Sequence, residues 1–197
     1  MGRTAKHEEK EKQLVHKGFE ILWNKGFNGT SVNDIVKAAG IPKGSFYFYF
    51  DSKEDFVIKA IHQYFKEQYY PSIMILQDQS LSAKDRLMKF YEERVEMAKN
   101  DQFCKQGCMF SNISSEISGQ NDKVREEITK IYNYAIKYVI DTAKEAQKDG
   151  DLDASLNIPD MITFFEDAFR GALITMKEKQ STYPVDNVHN MLKRMLK

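Results

Sequence analysis

The sequence predicts an all-α protein, and three observations predict it. Apolar residues recur every three to four positions through most of the chain, the spacing that lines one face of a helix. Only four prolines and ten glycines interrupt 197 residues, too few for a turn-rich sheet protein. No apolar–polar alternation runs long enough to specify a strand. Hydrophobic residues make up 42% of the chain, so a core can be buried in one large domain or two small ones.

In chain order, Met1 to His7 read as a frayed polar arm. Residues 8–25 follow as a helix, with Leu14, Val15, Gly18, Phe19, Ile21 and Leu22 near the 3.6-residue period. Gly26 suits the position just past its end. A second helix opens at Ser31, with Asp34 three residues on in the manner of a capping box. It turns Val32, Ile35, Val36 and Ala39 inward and stops at Gly40. The turn Gly40-Ile41-Pro42 leads into a brief helix from Lys43 to Tyr49, Pro42 fitting a helix start because its missing N–H has no helical partner there. Ser52, ahead of Lys53, Glu54 and Asp55, caps a long helix reaching Leu76, and Pro71 should kink or break it near Tyr70. Further amphipathic helices are expected at 82–99, 108–118, 122–148, 158–179 and 185–196. Asn121-Asp122 and Asp149-Gly150-Asp151 serve as breaks, Pro159 and Pro184 as helix starts.

Residues 31–50 therefore hold two short helices around a tight glycine-containing turn, the helix-turn-helix pattern. In that arrangement one helix braces another in the major groove of DNA. Val32, Ile35, Val36, Ala39, Ile41 and Phe46 would form the shared core. Phe46, Tyr47, Phe48, Tyr49 and Phe50 cannot all face inward on so short a helix; Phe46 and Phe50, four apart, are the core pair. Lys43 at the helix start suits a phosphate, and Gly44 allows close approach of the backbone. Ser45 can reach a phosphate or a base edge. Tyr47 and Tyr49 bring hydroxyls to the phosphate track, and Lys53 adds charge at the next helix start.

Global charge gives no help, because 29 basic residues balance 29 acidic ones; any DNA footprint must be local. No Ser-His-Asp order, phosphate-cradling loop or metal cluster argues for an enzyme. The four histidines, His7, His16, His62 and His189, are scattered, and Glu92, Glu93 and Glu96 read as a solvated helix face. No cofactor is implied. Cys104 and Cys108 are too few for a disulfide framework and lack zinc-ligand spacing, which suits a reducing compartment. No apolar run approaches the ~20 residues a bilayer needs and no leader is evident, so a soluble, cytoplasmic chain without membrane partners is expected. A helical adaptor using a degenerate helix-turn-helix for protein contacts is the alternative reading.

The stretch from Thr30 to Phe56, TSVNDIVKAAGIPKGSFYFYFDSKEDF, resembles the DNA-binding signature of the TetR family of repressors. Gly26-Phe27, Thr30-Ser31, Asp34-Ile35, Ala38-Ala39-Gly40, Lys43-Gly44-Ser45, Tyr47, Phe50 and Ser52-Lys53-Glu54 fall in family positions. The resemblance implies an N-terminal three-helix helix-turn-helix domain, here 1–52, and a C-terminal helical ligand-binding and dimerisation domain, here 53–197. It implies a homodimer on a palindromic double-stranded DNA operator, released by a small-molecule inducer. Thr30 and Ser31 would contact phosphate, Lys43, Gly44, Ser45, Tyr47 and Tyr49 the operator, and Lys53 the DNA backbone. The family often has Tyr and His where this chain has Phe48 and Tyr49, so a contact from Phe48 would be apolar, with a thymine methyl.

Family resemblance also assigns the last two long helices to subunit pairing. The apolar stripe of 158–179, together with Val188, Met191, Leu192, Met195 and Leu196, fits that role. Tyr64, Phe90, Tyr91, Phe110, Tyr132, Phe165 and Phe169 are candidates to line the ligand pocket. Gln106-Gly107-Cys108-Met109, followed by Asn112 and Glu116, resembles an N-ethylmaleimide-responsive branch of the family, which makes Cys108 a candidate sensor with Cys104 as a resolving partner. A thiol at a helix start beside Lys105 has its thiolate stabilised.

Overall fold

The computed structural model describes Ala5–Leu196, so Met1–Thr4 of the expected polar arm lie outside the described residues. From Ala5 onward the chain is already helical: α1 spans Ala5–Lys25, three residues earlier than the apolar periodicity indicates. Then come α2 (Val32–Ala39), a 3₁₀ turn at Lys43–Ser45 that runs into α3 (Phe46–Tyr49), and α4 (Lys53–Tyr64). No strand forms among the described residues.

Pro71 acts as expected but over a longer stretch. It cannot donate to the carbonyl four residues back, and the preceding turn, Phe65–Tyr69, is a π-helix. The chain resumes as α5 (Tyr70–Ile75). After it come α6 (Ala83–Lys99), α7 (Asp101–Gln106), α8 (Met109–Ile117), α9 (Asp122–Lys148), α10 (Ile158–Lys179) and α11 (Tyr183–Met195). Helix α7 has no counterpart in the sequence reading; its six residues are too few to show a period.

The chain forms two compact units. One contains the residues up to Lys66 together with Asn112–Thr129; the other contains Glu67–Ser111 and Lys130 onward. The division therefore does not fall at residue 52. Helix α4 stays with the first unit because Phe56, fully buried, packs edge-on against Phe50 and tilted against Phe46. Each buried aromatic or large aliphatic side chain there contributes about 1.5–3 kcal/mol by leaving water. A second knot of Phe19, Trp23 and Tyr64 closes the other end of that core.

In the second unit α10 packs on α11 and α7, while α6 packs on α5, α7 and α11. Its apolar interior, with Leu87, Phe90, Ile162, Phe165, Phe169 and Met176, also holds the buried charges Arg94 and Glu166, alongside Arg86. A buried charge is stable only when paired and hydrogen-bonded: Arg94 and Glu166 pair with each other, and Arg86 pairs with Glu145 and donates to the Leu76 carbonyl.

Candidate nucleic-acid interface

Helix α2 starts where the sequence places it. The Ser31 hydroxyl accepts from the Asp34 amide at 3.1 Å, and the Asp34 carboxylate accepts from the Ser31 amide at 2.9 Å. The capping box is complete. The Ser31 hydroxyl and amide, with Lys25, hold the Asp34 carboxyl down at about 2. At the other end Gly40 adopts φ +66°, a left-handed conformation costly for residues with a Cβ, and Ile41 N–H returns to the Val36 carbonyl at 3.0 Å. Cap and turn together fix the angle at which the next helix leaves.

That helix is a 3₁₀ turn followed by one α turn, and Phe50 ends it in extended backbone. Its two inward rings, Phe46 and Phe50, are each 1% exposed, while Tyr47 and Phe48 between them are 59% and 69% exposed. Lys43 and Gly44 are exposed, and a methyl added at Gly44 would meet nothing within 4 Å. Ser31 is exposed; Ser45 and Tyr49 are half-buried at the margins. A cation, an open backbone and two projecting aromatic rings thus lie along one short helix that its neighbours hold from behind.

Two side chains, Lys59 and His7, hold it. Lys59 donates to the Tyr49 carbonyl at 3.1 Å, satisfying one of the orphan acceptors of the helix C-terminus. His7, on the first turns of α1, packs its ring 5.0 Å from Phe48 and 4.9 Å from Tyr49. Its Nε2 donates to the Phe48 carbonyl at 3.3 Å. Lys53 and Thr30 sit one layer back. Thr30 is 1% exposed and donates to the Gly26 carbonyl. The Lys53 ammonium donates to the carbonyls of Phe27 and Thr30 at 2.7 and 2.9 Å and lies 3.9 Å above the Phe27 ring.

The second unit gathers a different set. Cys108 is 4% exposed, and its sulfur lies 3.0 Å from the Tyr69 hydroxyl. Tyr69 meets Phe110 edge-on. Removal from water raises the Tyr69 phenol well above its ordinary value, and Cys108 raises it further. The Arg94 guanidinium lies within cation–π range of Tyr69, Phe90, Tyr91 and Phe169, with the nearest ring, Phe169, at 4.6 Å. Arg94 and Tyr91 both donate to one oxygen of Glu166. Burial and Glu166 raise the Tyr91 phenol as well.

Comparison with known proteins decides the family. Residues 14–60 match the family described as bacterial regulatory proteins, tetR family, and residues 83–192 match the tetracyclin repressor-like C-terminal domain. The chain belongs to the TetR family. It is 32% identical over 174 residues to the HTH-type transcriptional repressor DhaR of Mycobacterium sp. (strain GP1), covering 88% of this chain and 85% of that one. It is 27% identical over 134 residues to the HTH-type transcriptional repressor NemR of Escherichia coli (strain K12), covering 66% and 64%. Among solved structures, the regulatory protein TetR from Rhodobacter sphaeroides superposes with a TM-score of 0.82 at 27% identity, covering 93% of this chain and 97% of that one.

This TetR-family chain is a DNA-binding transcriptional regulator, and the two matched regions distribute its residues unevenly. Of the candidate pocket residues, Phe90, Tyr91 and Phe169 ring Arg94 and Phe110 joins Cys108 through Tyr69. Phe165 is buried in α10, and half-buried Tyr132 lies 5.5 Å from Arg170. Tyr64 belongs to the other unit, in contact with Phe19 and Trp23. Sequence reasoning missed Arg94, Glu166, Tyr69 and His7. A signal existed for two of them: Arg94 and Glu166 each interrupt an otherwise apolar helix face.

Proposed function

We propose that the chain represses transcription as a homodimer on a two-fold operator and leaves it when a small-molecule inducer enters the second unit. One observation carries the reading: Tyr47 and Phe48 project into solvent from a helix whose flanking rings, Phe46 and Phe50, are buried. Exposed aromatic rings flanked by Lys43 and Gly44 suit apolar contact with thymine methyls, hydroxyl contact with phosphates and close backbone approach. Ser31, Ser45 and Tyr49 complete the surface, while Thr30 and Lys53 support it from behind.

Two-fold operators present half-sites about 34–36 Å apart, which a pair of subunits reads. Phe164, Ile174, Tyr183, Met191 and Met195 are exposed on α10 and α11; a second copy would cover them. Cys108 is the sensing thiol in this reading, because its sulfur lies 3.0 Å from the Tyr69 hydroxyl, within hydrogen-bond reach. Thiol alkylation should release wild-type protein from DNA and leave Cys108→Ser bound.

Binding of the full chain to the DNA flanking its own gene, followed by fluorescence anisotropy across a salt series, tests the proposal. A steep fall in affinity with salt supports a groove-bound regulator. A flat, DNA-independent response favours the adaptor reading.

A further inference from the structure

The turn that joins α1 to α2 is gripped from both sides by charges remote in sequence. Phe27 N–H donates to Glu116 Oε2 at 2.7 Å and Asn28 N–H donates to Glu116 Oε1 at 2.6 Å. Both oxygens of one carboxylate are thus committed to consecutive amides, the short geometry of charge-assisted bonds. On the acceptor side, Lys53 takes the Phe27 and Thr30 carbonyls. Gly26 holds φ +70°, and a Cβ there would lie 2.4 Å from Glu116 Oε2. Glycine therefore meets two needs at once: the left-handed conformation and the space the carboxylate fills.

The gripped turn runs directly into Ser31, the N-cap of α2, and α2 sets the exit angle of the recognition helix. Glu116 itself lies 89 residues beyond Phe27, on α8. It nevertheless belongs to the DNA-binding unit, because Asn112–Thr129 pack there.

We propose that Glu116 is a positioning residue for operator recognition: its carboxylate, by holding the amides of Phe27 and Asn28, fixes the angle at which α2 presents the recognition helix. It touches no DNA. Its effect should therefore fall on binding that requires a fixed helix angle, and not on the loose electrostatic association any basic surface makes with duplex.

The test compares wild type, Glu116→Gln and Glu116→Ala as full chains, each with operator duplex, with random-sequence duplex, and by amide hydrogen exchange. In Glu116→Gln one amide loses its acceptor and faces an NH₂ group instead. The expected result is exchange at Phe27 and Asn28 faster by about tenfold or more, operator affinity lower by about tenfold or more, and random-sequence affinity within about twofold of wild type. Melting should shift by no more than a few degrees. Two results would overturn the proposal: operator affinity within about twofold of wild type although the two amides have deprotected, or operator and random-sequence affinity falling together by the same factor. Glu116→Ala should follow Glu116→Gln in direction; if it unfolds, Glu116→Gln decides alone.

Discussion

Tyr69 Oη lies 3.0 Å from Cys108 Sγ, beside the Arg94 guanidinium that caps a cage of four aromatic rings. Removal from water and Cys108 both push the phenol above its ordinary value, so the sulfur faces a neutral hydroxyl. Tyr69→Phe deletes that hydroxyl and should slow alkylation of Cys108 by a small maleimide about three- to tenfold at neutral pH. Stopped-flow labelling of Cys104→Ser and Cys104→Ser/Tyr69→Phe isolates the thiol of interest. An equal or faster rate in the phenylalanine variant removes Tyr69 from the sensing account.

The buried ion pair should resist piecemeal removal. Glu166→Ala leaves Arg94 charged among aromatic rings and should cost about 3–5 kcal/mol, whereas replacing both partners, as in Arg94→Met/Glu166→Leu, should cost far less. Urea melts of the single and double variants measure the difference. Equal losses would mean that shape, not charge, governs the site.

Two neighbouring rings of the recognition helix should separate stability from binding. Phe46, 1% exposed, should cost about 3–5 kcal/mol when replaced by alanine. Phe48, 69% exposed, should change stability by no more than about 0.5 kcal/mol, yet weaken operator binding. Thermal melts and anisotropy on the same samples report both quantities.

Much of this division was legible in the sequence. Ser31 and Asp34 announce the cap, Gly40 and Pro42 the turn, and five consecutive aromatics on one short helix cannot all be buried. Roles that depend on long-range contact were not legible. Lys53 and Thr30 look like phosphate ligands by position, but Lys53 reaches back 26 residues to the Phe27 carbonyl and Thr30 is buried. His7 looks like part of a loose arm until α1 brings it against Phe48 and Tyr49. Arg94 and Glu166 lie 72 residues apart, and nothing local states that two charges on separate helices will meet in a core.

Acid should loosen the start of α2. Asp34 has its folded pKa depressed to about 2 from 3.8. A depressed carboxyl contributes stability above its unfolded value, and that contribution is lost as pH falls from about 4 toward 2. Asp34→Asn should therefore be less stable than wild type at neutral pH, with the two curves converging at the acid end of that window. Urea midpoints taken at several pH values test this; parallel curves would mean that Asp34 is not the group responsible.

His7 should matter for binding out of proportion to its place near the chain start. His7→Ala removes the ring against Phe48 and Tyr49 and the donor to the Phe48 carbonyl. Operator affinity should fall by about three- to tenfold, with the loss concentrated at base pairs nearest those two rings in a scan of operator substitutions. A uniform loss across all positions would place His7 in general stability instead.

The central claim is that the helix starting at Lys43 enters the groove. Affinity of Lys43→Ala/Tyr47→Ala for the native operator, measured by anisotropy at fixed salt, tests it most directly. Since both side chains are exposed, the variant should melt within a few degrees of wild type and lose about 100-fold or more in affinity, with a shallower salt dependence. Unchanged affinity in a folded double variant would contradict the account.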